Sequence, residues 1–258
     1  MNYYNSLLDF RNKIIFVIGG SGLIGKEVIK GFISNKAKVI NFDFSLSNNK
    51  RKNLFSQKLD LKNIENSIKV IEDSIKKYGI PAVFINCSYP KTHDWAENNF
   101  KSLSIKSYKE NIDIHLNSYV LISRLIAEKM SIKKKGSIVL FGSIYGVVGQ
   151  DLSVYKNTKM TENLTYSVIK GGISNYTRQM ASYYGKNNIR VNCICPGGVL
   201  DKFNSKNRKF IKNYINKVPL KRLANKKEIA ASTLFLSSKA ASYITGSTLL
   251  VDGGWTAI

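Results

Sequence analysis

The sequence predicts a doubly wound, mostly parallel seven-stranded α/β sheet with helices on both faces. Three observations carry that expectation: seven short apolar runs, longer runs of helical periodicity between them, and a glycine-rich turn where the first strand meets the first helix. Strands apolar throughout suit a sheet covered by helices above and below, and such strands pair in parallel. The 258 residues can bury one substantial core, and no Pro-rich linker, repeat or low-complexity stretch divides them. One domain over residues 1–258 is expected.

The elements follow in order. KIIFVIG (13–19) reads as a strand, and LIGKEVIKGFISN (23–35) as a helix with its apolar residues at helical spacing. AKVINFD (37–43) and FSQKLD (55–60) are the next strands. NIENSIKVIEDSIKKYG (63–79) is a helix ended by glycine, and PAVFINC (81–87) the fourth strand. A helical segment over 105–132 precedes GSIVLFGS (136–143), and a helix over 164–185 leads into IRVNCIC (189–195). A helix at 226–237 precedes the last strand, STLLVD (247–252). With right-handed crossovers this is a Rossmann-type sheet.

Composition removes several function classes. No apolar run reaches 18 residues, so no membrane span is expected. The amino terminus lacks a basic segment followed by an apolar core, and Cys87, Cys193 and Cys195 all lie in strand-like runs. Reduced thiols and a cytoplasmic location follow as expectations. His93 and His115 have no ligand spacing with cysteines or carboxylates, so no metal site is expected. The net charge of +23 would suit a nucleic acid, a membrane, an acidic partner or a phosphorylated substrate. The lysines are dispersed, however, and come closest to a cluster only at 133–135; no nucleic-acid or membrane partner is expected.

VIGGSGLIG (17–25) closes the first strand and opens the first helix. Gly19, Gly22 and Gly25 form G-x-x-G-x-x-G, with Ser21, Leu23 and Ile24 among them. Glycines there let the backbone turn tightly and approach a pyrophosphate, while the helix start adds its amides and dipole. Asp43 ends the second strand, 18 residues past Gly25. A carboxylate in that place accepts hydrogen bonds from the adenosine ribose and repels a 2′-phosphate, which favours NAD. Arg51, Lys52 or Lys36 could accommodate the 2′-phosphate, so NADP stays the alternative.

Tyr-x-x-x-Lys occurs twice in YKNTKMTENLTYSVIK (155–170), as Tyr155/Lys159 and as Tyr166/Lys170. Either pair could be an acid–base pair or an ordinary surface pair. YKNTKMTENL has no apolar stripe and reads as loop, whereas the stretch from Tyr166 runs as a helix that holds both residues on one face.

Taken together, these residues resemble the short-chain dehydrogenase/reductase family in its single-domain branch, over almost the whole chain. IGGSGLIG looks like its glycine motif, and Asp60-Leu61 like its adenine-contacting pair. Asn86, Cys87 and Ser88 resemble its Asn-Asn-Ala-Gly stretch, and GSIVLFGSIYG its strand bearing the active-site serine, Ser143 here. IRVNCICPGG and YITGSTLLVDGG look like its last two strand motifs, which brings Pro196, Gly197 and Val199 to the cofactor. The family's tyrosine stands on a helix ending shortly before Ile-Arg-Val-Asn. Tyr166 lies 24 residues before Arg190 and Tyr155 lies 35, so the resemblance selects Tyr166/Lys170. Tyr155/Lys159 then falls in an insertion at about 149–165 that shapes substrate binding.

The resemblance implies interconversion of a secondary alcohol and a ketone, with Tyr166 as general acid/base and Ser143 bonded to the reacting oxygen. Lys170 is expected to bind the nicotinamide ribose and to lower the Tyr166 pKa from about 10. Three departures stand out. His115 occupies the place of a fourth catalytic residue, usually Asn, with Asn111 one turn too early. Two readings stay open for it: it holds the water linking the lysine to solvent and titrates at about pH 6 to 7, or it is a satisfied buried histidine. Ile18 and Leu23 replace a Thr and a Gly of the nucleotide motif. Asp201 stands where a Thr meets the nicotinamide amide, leaving that task to the Val199 backbone.

NCSYPKTHDW, His115 and the insertion resemble a subgroup associated with flagellin modification and surface polysaccharides, which implies a sugar or amino-sugar precursor. Tyr89, Lys91, Tyr145, Lys156 and Lys159 are expected to contact this substrate, with His93 nearby. A phosphorylated or nucleotide-linked sugar fits such polar loops. The competing readings are a 3-oxoacyl-[acyl-carrier-protein] reductase and an inactive nucleotide-binding regulator. The family also implies a homotetramer or homodimer.

Overall fold

The computed structural model describes residues 6–46, 51–201 and 207–258. Seven strands form one sheet: β1 (Ile14–Ile18), β2 (Lys38–Asp43), β3 (Leu54–Lys58), β4 (Val83–Asn86), β5 (Gly136–Phe141), β6 (Ile189–Pro196) and β7 (Thr248–Val251). Their order is β3-β2-β1-β4-β5-β6-β7, and every pairing among the described residues is parallel. Between β1 and β4 the winding reverses. The chain leaves these neighbours in opposite directions, which opens a crevice at their carboxyl ends.

Alternate strand residues face opposite sides, and each side builds its own core. Phe16, Ile18, Ile40 and Phe42 pack with Ile71 of α2 (Ile64–Tyr78), Ile122 and Ile126 of α4 (Ser118–Ile132) and Ile169 of α5 (Leu164–Tyr184). Ile15, Val17 and Val39 pack on the other side with Val28 and Phe32 of α1 (Leu23–Ser34) and Ile229 of α7 (Lys226–Ser237). All of these are fully or almost fully buried, and each side chain contributes roughly 1.5–3 kcal/mol by leaving water.

Caps fix where the helices begin. Asn63 accepts from the Asn66 amide ahead of α2, and Asn225 with Glu228 forms a reciprocal capping box ahead of α7. Gly79, at φ 97°, ends α2.

Two elements differ from the sequence expectation. The segment 105–132 is not one regular helix but α3 (Ile105–Asn111), a π-helical turn over Ile112–Asn117, and α4. Such a turn inserts a residue into the helical repeat and resets which side chains face the sheet. Here it buries Ile114 and His115, and Ser118 bonds the His115 carbonyl through its hydroxyl at 2.9 Å. The second is α6 (Arg208–Lys217), absent from the expected elements. Its lysines and asparagines mask an apolar stripe, Phe210, Ile211, Tyr214 and Ile215, whose spacing is helical.

A third, smaller cluster sits at the mouth of the crevice. Val154 of the insertion, Tyr214 and Val218 at α6, Ile144 after β5 and Trp255 of the C-terminal turn pack together. The insertion is held on α6 by the Asn213 side chain, which donates to the Val154 carbonyl at 3.1 Å, and by a 3.0 Å Lys217–Asp151 ion pair.

Candidate active site

A cleft of about 1120 Å³ runs across the carboxyl ends of the strands. One half of its wall is built from the β1–α1 turn. Gly19 has φ 80°, and a Cβ there would lie 2.6 Å from the Ser88 Cα, so only glycine lets the turn pass that close. Gly22 caps α1 with no side-chain bond, which leaves the first-turn amides facing the cleft. Ser21, Leu23, Ile24 and Gly25 complete this wall. Asp43 stands at the end of β2, its carboxylate accepting from the Ser21 amide at 2.9 Å and the Ser45 amide at 3.1 Å. Asp60 and Leu61 line the same half, with Cys87 and Ser88 on its floor.

Asn86 does not line the cleft. It is fully buried beneath it, its Oδ1 accepting from the Ser88 hydroxyl at 2.7 Å and the Ser88 amide at 3.2 Å, so its side chain braces the floor residue Ser88. Arg51, Lys52 and Lys36 are exposed and outside the wall, and Phe44 and Ser45 follow Asp43 instead.

The other half gathers Ser143, Tyr145, Tyr166 and Lys170, with Tyr89 and Lys91 on the rim and Pro196, Gly197, Val199 and Asp201 opposite. Tyr166 belongs to the first turn of α5, because Asn163 caps that helix by accepting from the Tyr166 amide at 2.8 Å. Lys170 follows one turn on. Its ammonium donates to the Phe141 carbonyl at 2.9 Å, contacts His115 Nε2 at 3.3 Å, and lies 5.8 Å from the Tyr166 ring centre. The turn after Ser143 comes against α5 so closely that a Cβ on Gly146 would meet the Lys170 carbonyl carbon at 2.5 Å.

Electrostatics here depart from the sequence expectation. Burial pushes the Tyr166 phenol up to about 12, with a bond from Ser143 pulling the other way. Burial also pushes the Lys170 ammonium down to about 8. Lys170 therefore does not lower the Tyr166 pKa as expected. Both groups share a poorly hydrated wall that penalises phenolate and ammonium alike, and the ammonium is spent on Phe141 and His115. His115 differs from expectation too. Burial, then the Lys170 charge, holds its imidazole well below the ordinary 6.5, so it does not titrate near neutrality. Its Nε2 accepts from Lys170, which puts the ring proton on Nδ1. It backs the cleft instead of lining it. Asn111 is likewise buried outside the wall, donating to Thr92 Oγ1 at 2.7 Å and accepting from the Thr92 amide at 3.0 Å.

Besides Lys170, aromatic rings surround Tyr166. Tyr89, Trp95 and Tyr145 stand edge-on to it with centres 5.8, 6.3 and 6.5 Å away. Lys156 and Lys159 are exposed and outside the lining because their segment turns outward after the Leu152–Tyr155 turn docks on α6; His93 is also exposed and outside it. Phe210, Tyr214 and Leu223 line the cleft in their place. The helical stripe of α6 is the signal that could have found the first two; nothing local marks Leu223.

The geometry agrees with similarity to known proteins. A family model described as enoyl-(acyl carrier protein) reductase matches residues 24–256. The post-translational flagellin modification protein A of Campylobacter coli is 34% identical over 95% of this chain and 98% of its own length. The 7alpha-hydroxysteroid dehydrogenase of Bacteroides fragilis is 29% identical over 96% and 95%. The crystal structure of a short chain dehydrogenase from Leptospira borgpetersenii with bound NAD+ superposes with a TM-score of 0.87 at 31% identity, covering 99% of this chain and 96% of that one. The chain belongs to the short-chain dehydrogenase/reductase family of oxidoreductases.

Proposed function

We propose that this protein is an NAD-dependent oxidoreductase that interconverts a secondary alcohol and a ketone on a sugar or amino-sugar precursor of a surface or flagellin glycan. The observation that carries the chemistry is the meeting of Ser143, Tyr166 and Lys170 in one cleft with the glycine turn and Asp43. The fit to a dinucleotide rests on the uncapped amides of α1, the Cβ-free approach at Gly19 and the carboxylate at the end of β2. The NAD+ bound by the Leptospira relative supports the same cofactor here. Gly19, Ser21, Gly22 and Ile24 would hold the pyrophosphate, Asp43 the adenosine ribose, Asp60 and Leu61 the adenine, and Lys170 the nicotinamide ribose. When bound, the nicotinamide would supply or take up a hydride, the two electrons together with the carbon-bound hydrogen.

The chain itself handles the proton. Tyr166, kept protonated by its surroundings, donates to the carbonyl oxygen during reduction. Ser143 holds that oxygen, and its bond to Tyr166 favours the phenolate left behind. In the reverse direction Tyr166 must first lose its proton, so oxidation draws on the phenolate fraction. His115 positions Lys170 as a neutral acceptor, a task for which its low proton affinity suits it. Subunits are proposed to assemble as a homotetramer or homodimer, in line with the family.

The sugar reading rests on the Campylobacter relative and on a wall of tyrosines that offers both ring faces and hydroxyls. Purified protein with NAD should turn over at least one member of a panel of sugar phosphates and nucleotide sugars. Inertness towards the panel with reduction of acyl thioesters would replace this reading by an oxoacyl reductase. Asp43 weighs against that outcome.

A further inference from the structure

Each polar group of Asn163 has a partner, and the partners come from three separate stretches of chain. Its Oδ1 accepts from the Tyr166 amide at 2.8 Å and so starts α5. Its Nδ2 donates to the Trp95 carbonyl at 2.8 Å, on the loop between β4 and α3. Its backbone is engaged by Gln150 of the insertion, at 3.2 Å for the amide and 2.7 Å for the carbonyl. A helix cap needs only an acceptor, and serine or aspartate supplies one as well as asparagine does. The donor is what capping leaves unexplained. It acts on a loop already fixed at both ends. The Thr92 amide donates to Asn111 Oδ1 at 3.0 Å, and Asn98 accepts from the Leu164 amide and the Thr165 hydroxyl, each at 2.8 Å. Between those anchors stands Trp95, whose carbonyl also accepts a longer bond, 3.3 Å, from the Asn98 amide within its own turn.

We propose that Asn163 is a positioning residue that clamps the Tyr89–Trp95 stretch onto the first turn of α5, so that the substrate wall and the Tyr166 hydroxyl keep one spacing. The inference rests on the oxidoreductase reading and deepens it. Trp95 stands edge-on to Tyr89 with ring centres 5.7 Å apart, and the two rings stand edge-on to Tyr166 at 6.3 and 5.8 Å. Tyr89 lines the cleft, and Trp95 backs it from outside the lining. A shift of the Trp95 carbonyl therefore reaches the substrate through Tyr89, while Tyr166 stays where the cap holds it. Because one carboxamide serves both, wall and proton donor move together. Gln150 adds the third side by fixing the backbone from which that carboxamide projects. The two roles are separable by chemistry. A serine hydroxyl, one bond shorter, can still accept from the first turn of α5 but does not reach the Trp95 carbonyl.

The test compares the wild type with Asn163→Ser and Asn163→Ala. The chain has two tryptophans, and Trp255 is buried against Tyr214 with ring centres 4.3 Å apart, so acrylamide quenching of fluorescence reads Trp95. Asn163→Ser should keep the thermal shift that NAD gives the wild type, which reports a folded protein, and its fluorescence should be quenched more strongly. With whichever sugar phosphate, nucleotide sugar or acyl thioester the wild type turns over, KM of Asn163→Ser should rise about twofold to tenfold, as the loss of one hydrogen bond implies, with kcat close to that of the wild type. Asn163→Ala should show the same rise in KM and a kcat lower by about fivefold, because the turn bearing Tyr166 has lost its cap as well. Quenching of Asn163→Ser no stronger than that of the wild type, or an unchanged KM, overturns the clamp and leaves the oxidoreductase reading standing. A wild type inert towards every alcohol, ketone and thioester overturns that reading instead, and the quenching comparison, which uses no substrate, still decides the clamp.

Discussion

Tyr155/Lys159 and Tyr166/Lys170 share a spacing, a residue pair and a neighbourhood, yet they stand in opposite circumstances. The first tyrosine closes a short 3-10 turn, stacks on Phe210 with ring centres 5.9 Å apart, and gives its proton to Gln150. Its lysine is exposed beyond the turn. The second pair sits on one face of α5, with the lysine buried and both side chains on the cleft wall. The pattern Tyr-x-x-x-Lys carries no chemistry by itself; a helix is what aligns i with i+4, and burial is what makes the alignment matter. The pairs are also linked. Gln150, held by Tyr155, donates to the Asn163 carbonyl at 2.7 Å and accepts from its amide at 3.2 Å, and Asn163 caps the turn that carries Tyr166. Tyr155 thus acts on the site as a support.

The sharpest way to break this comparison is to remove each phenol oxygen in turn. Tyr166→Phe should lower kcat by roughly 10²–10⁴-fold, the span of general acid–base catalysis, while leaving NAD affinity in place. Tyr155→Phe should cost less than about tenfold in kcat and about 1 kcal/mol of stability from the lost Gln150 bond. Steady-state kinetics with the cofactor titrated separately decides it. A larger loss from Tyr155→Phe would reverse the assignment.

The two lysines differ next. Lys170 is 4% exposed and held at about 8 against an ordinary 10.5. Between those values the unfolded chain keeps a proton that the folded chain has released, so stability rises with pH across that window. The gain is about 3 kcal/mol, and below pH 8 the full burden of the buried charge is felt. Urea midpoints for wild type and Lys170→Met at pH 8 and 10.5 measure it: the wild type should gain on the variant as pH rises. Lys159 is exposed, and Lys159→Met should track the wild type. Parallel behaviour of Lys170→Met and wild type would mean the ammonium is better hydrated than its surroundings indicate.

How much of this was legible in the sequence follows from which forces are local. The strands and the β1–α1 turn were readable because apolar runs and glycine spacing state their conformation directly. Tyr166 was separable from Tyr155 because only one of the two heads an unbroken helical run. The direction of the pKa shifts was not readable. They depend on which chain segments exclude water from Tyr166 and Lys170, and those include β5, the π-helical turn, α4 and the loop bearing Tyr89. The cleft lining differs from the expected set of contacts for a related reason. Lys156 and Lys159 look like ligand contacts in a loop near the site, but docking of Val154 and Tyr155 on α6 turns them outward and brings Phe210 and Tyr214 in. Long-range packing chose the wall.

The smallest effect concerns the residue behind both comparisons. His115 is fully buried, with Lys170 Nζ at 3.3 Å and the rings of Tyr89 and Tyr119 each 5.5 Å from its own. Every one of these neighbours discourages a second positive charge or offers no acceptor for it, and the Pro90 carbonyl opposes them only in part. The folded protein therefore binds no proton at this site through the mildly acidic range, whereas the unfolded chain takes one up below its ordinary 6.5. Stability tied to His115 is complete above that pH and is lost as pH falls, at up to about 1.4 kcal/mol per pH unit. His115→Asn removes the titration but keeps an amide oxygen that can accept from Lys170. Urea unfolding between pH 7 and 5 should show the wild type losing stability with falling pH and the variant holding steadier. If both fall with the same slope, the imidazole reaches water or an acceptor in solution, and the neutral, acceptor-only role given to it beside Lys170 must be abandoned.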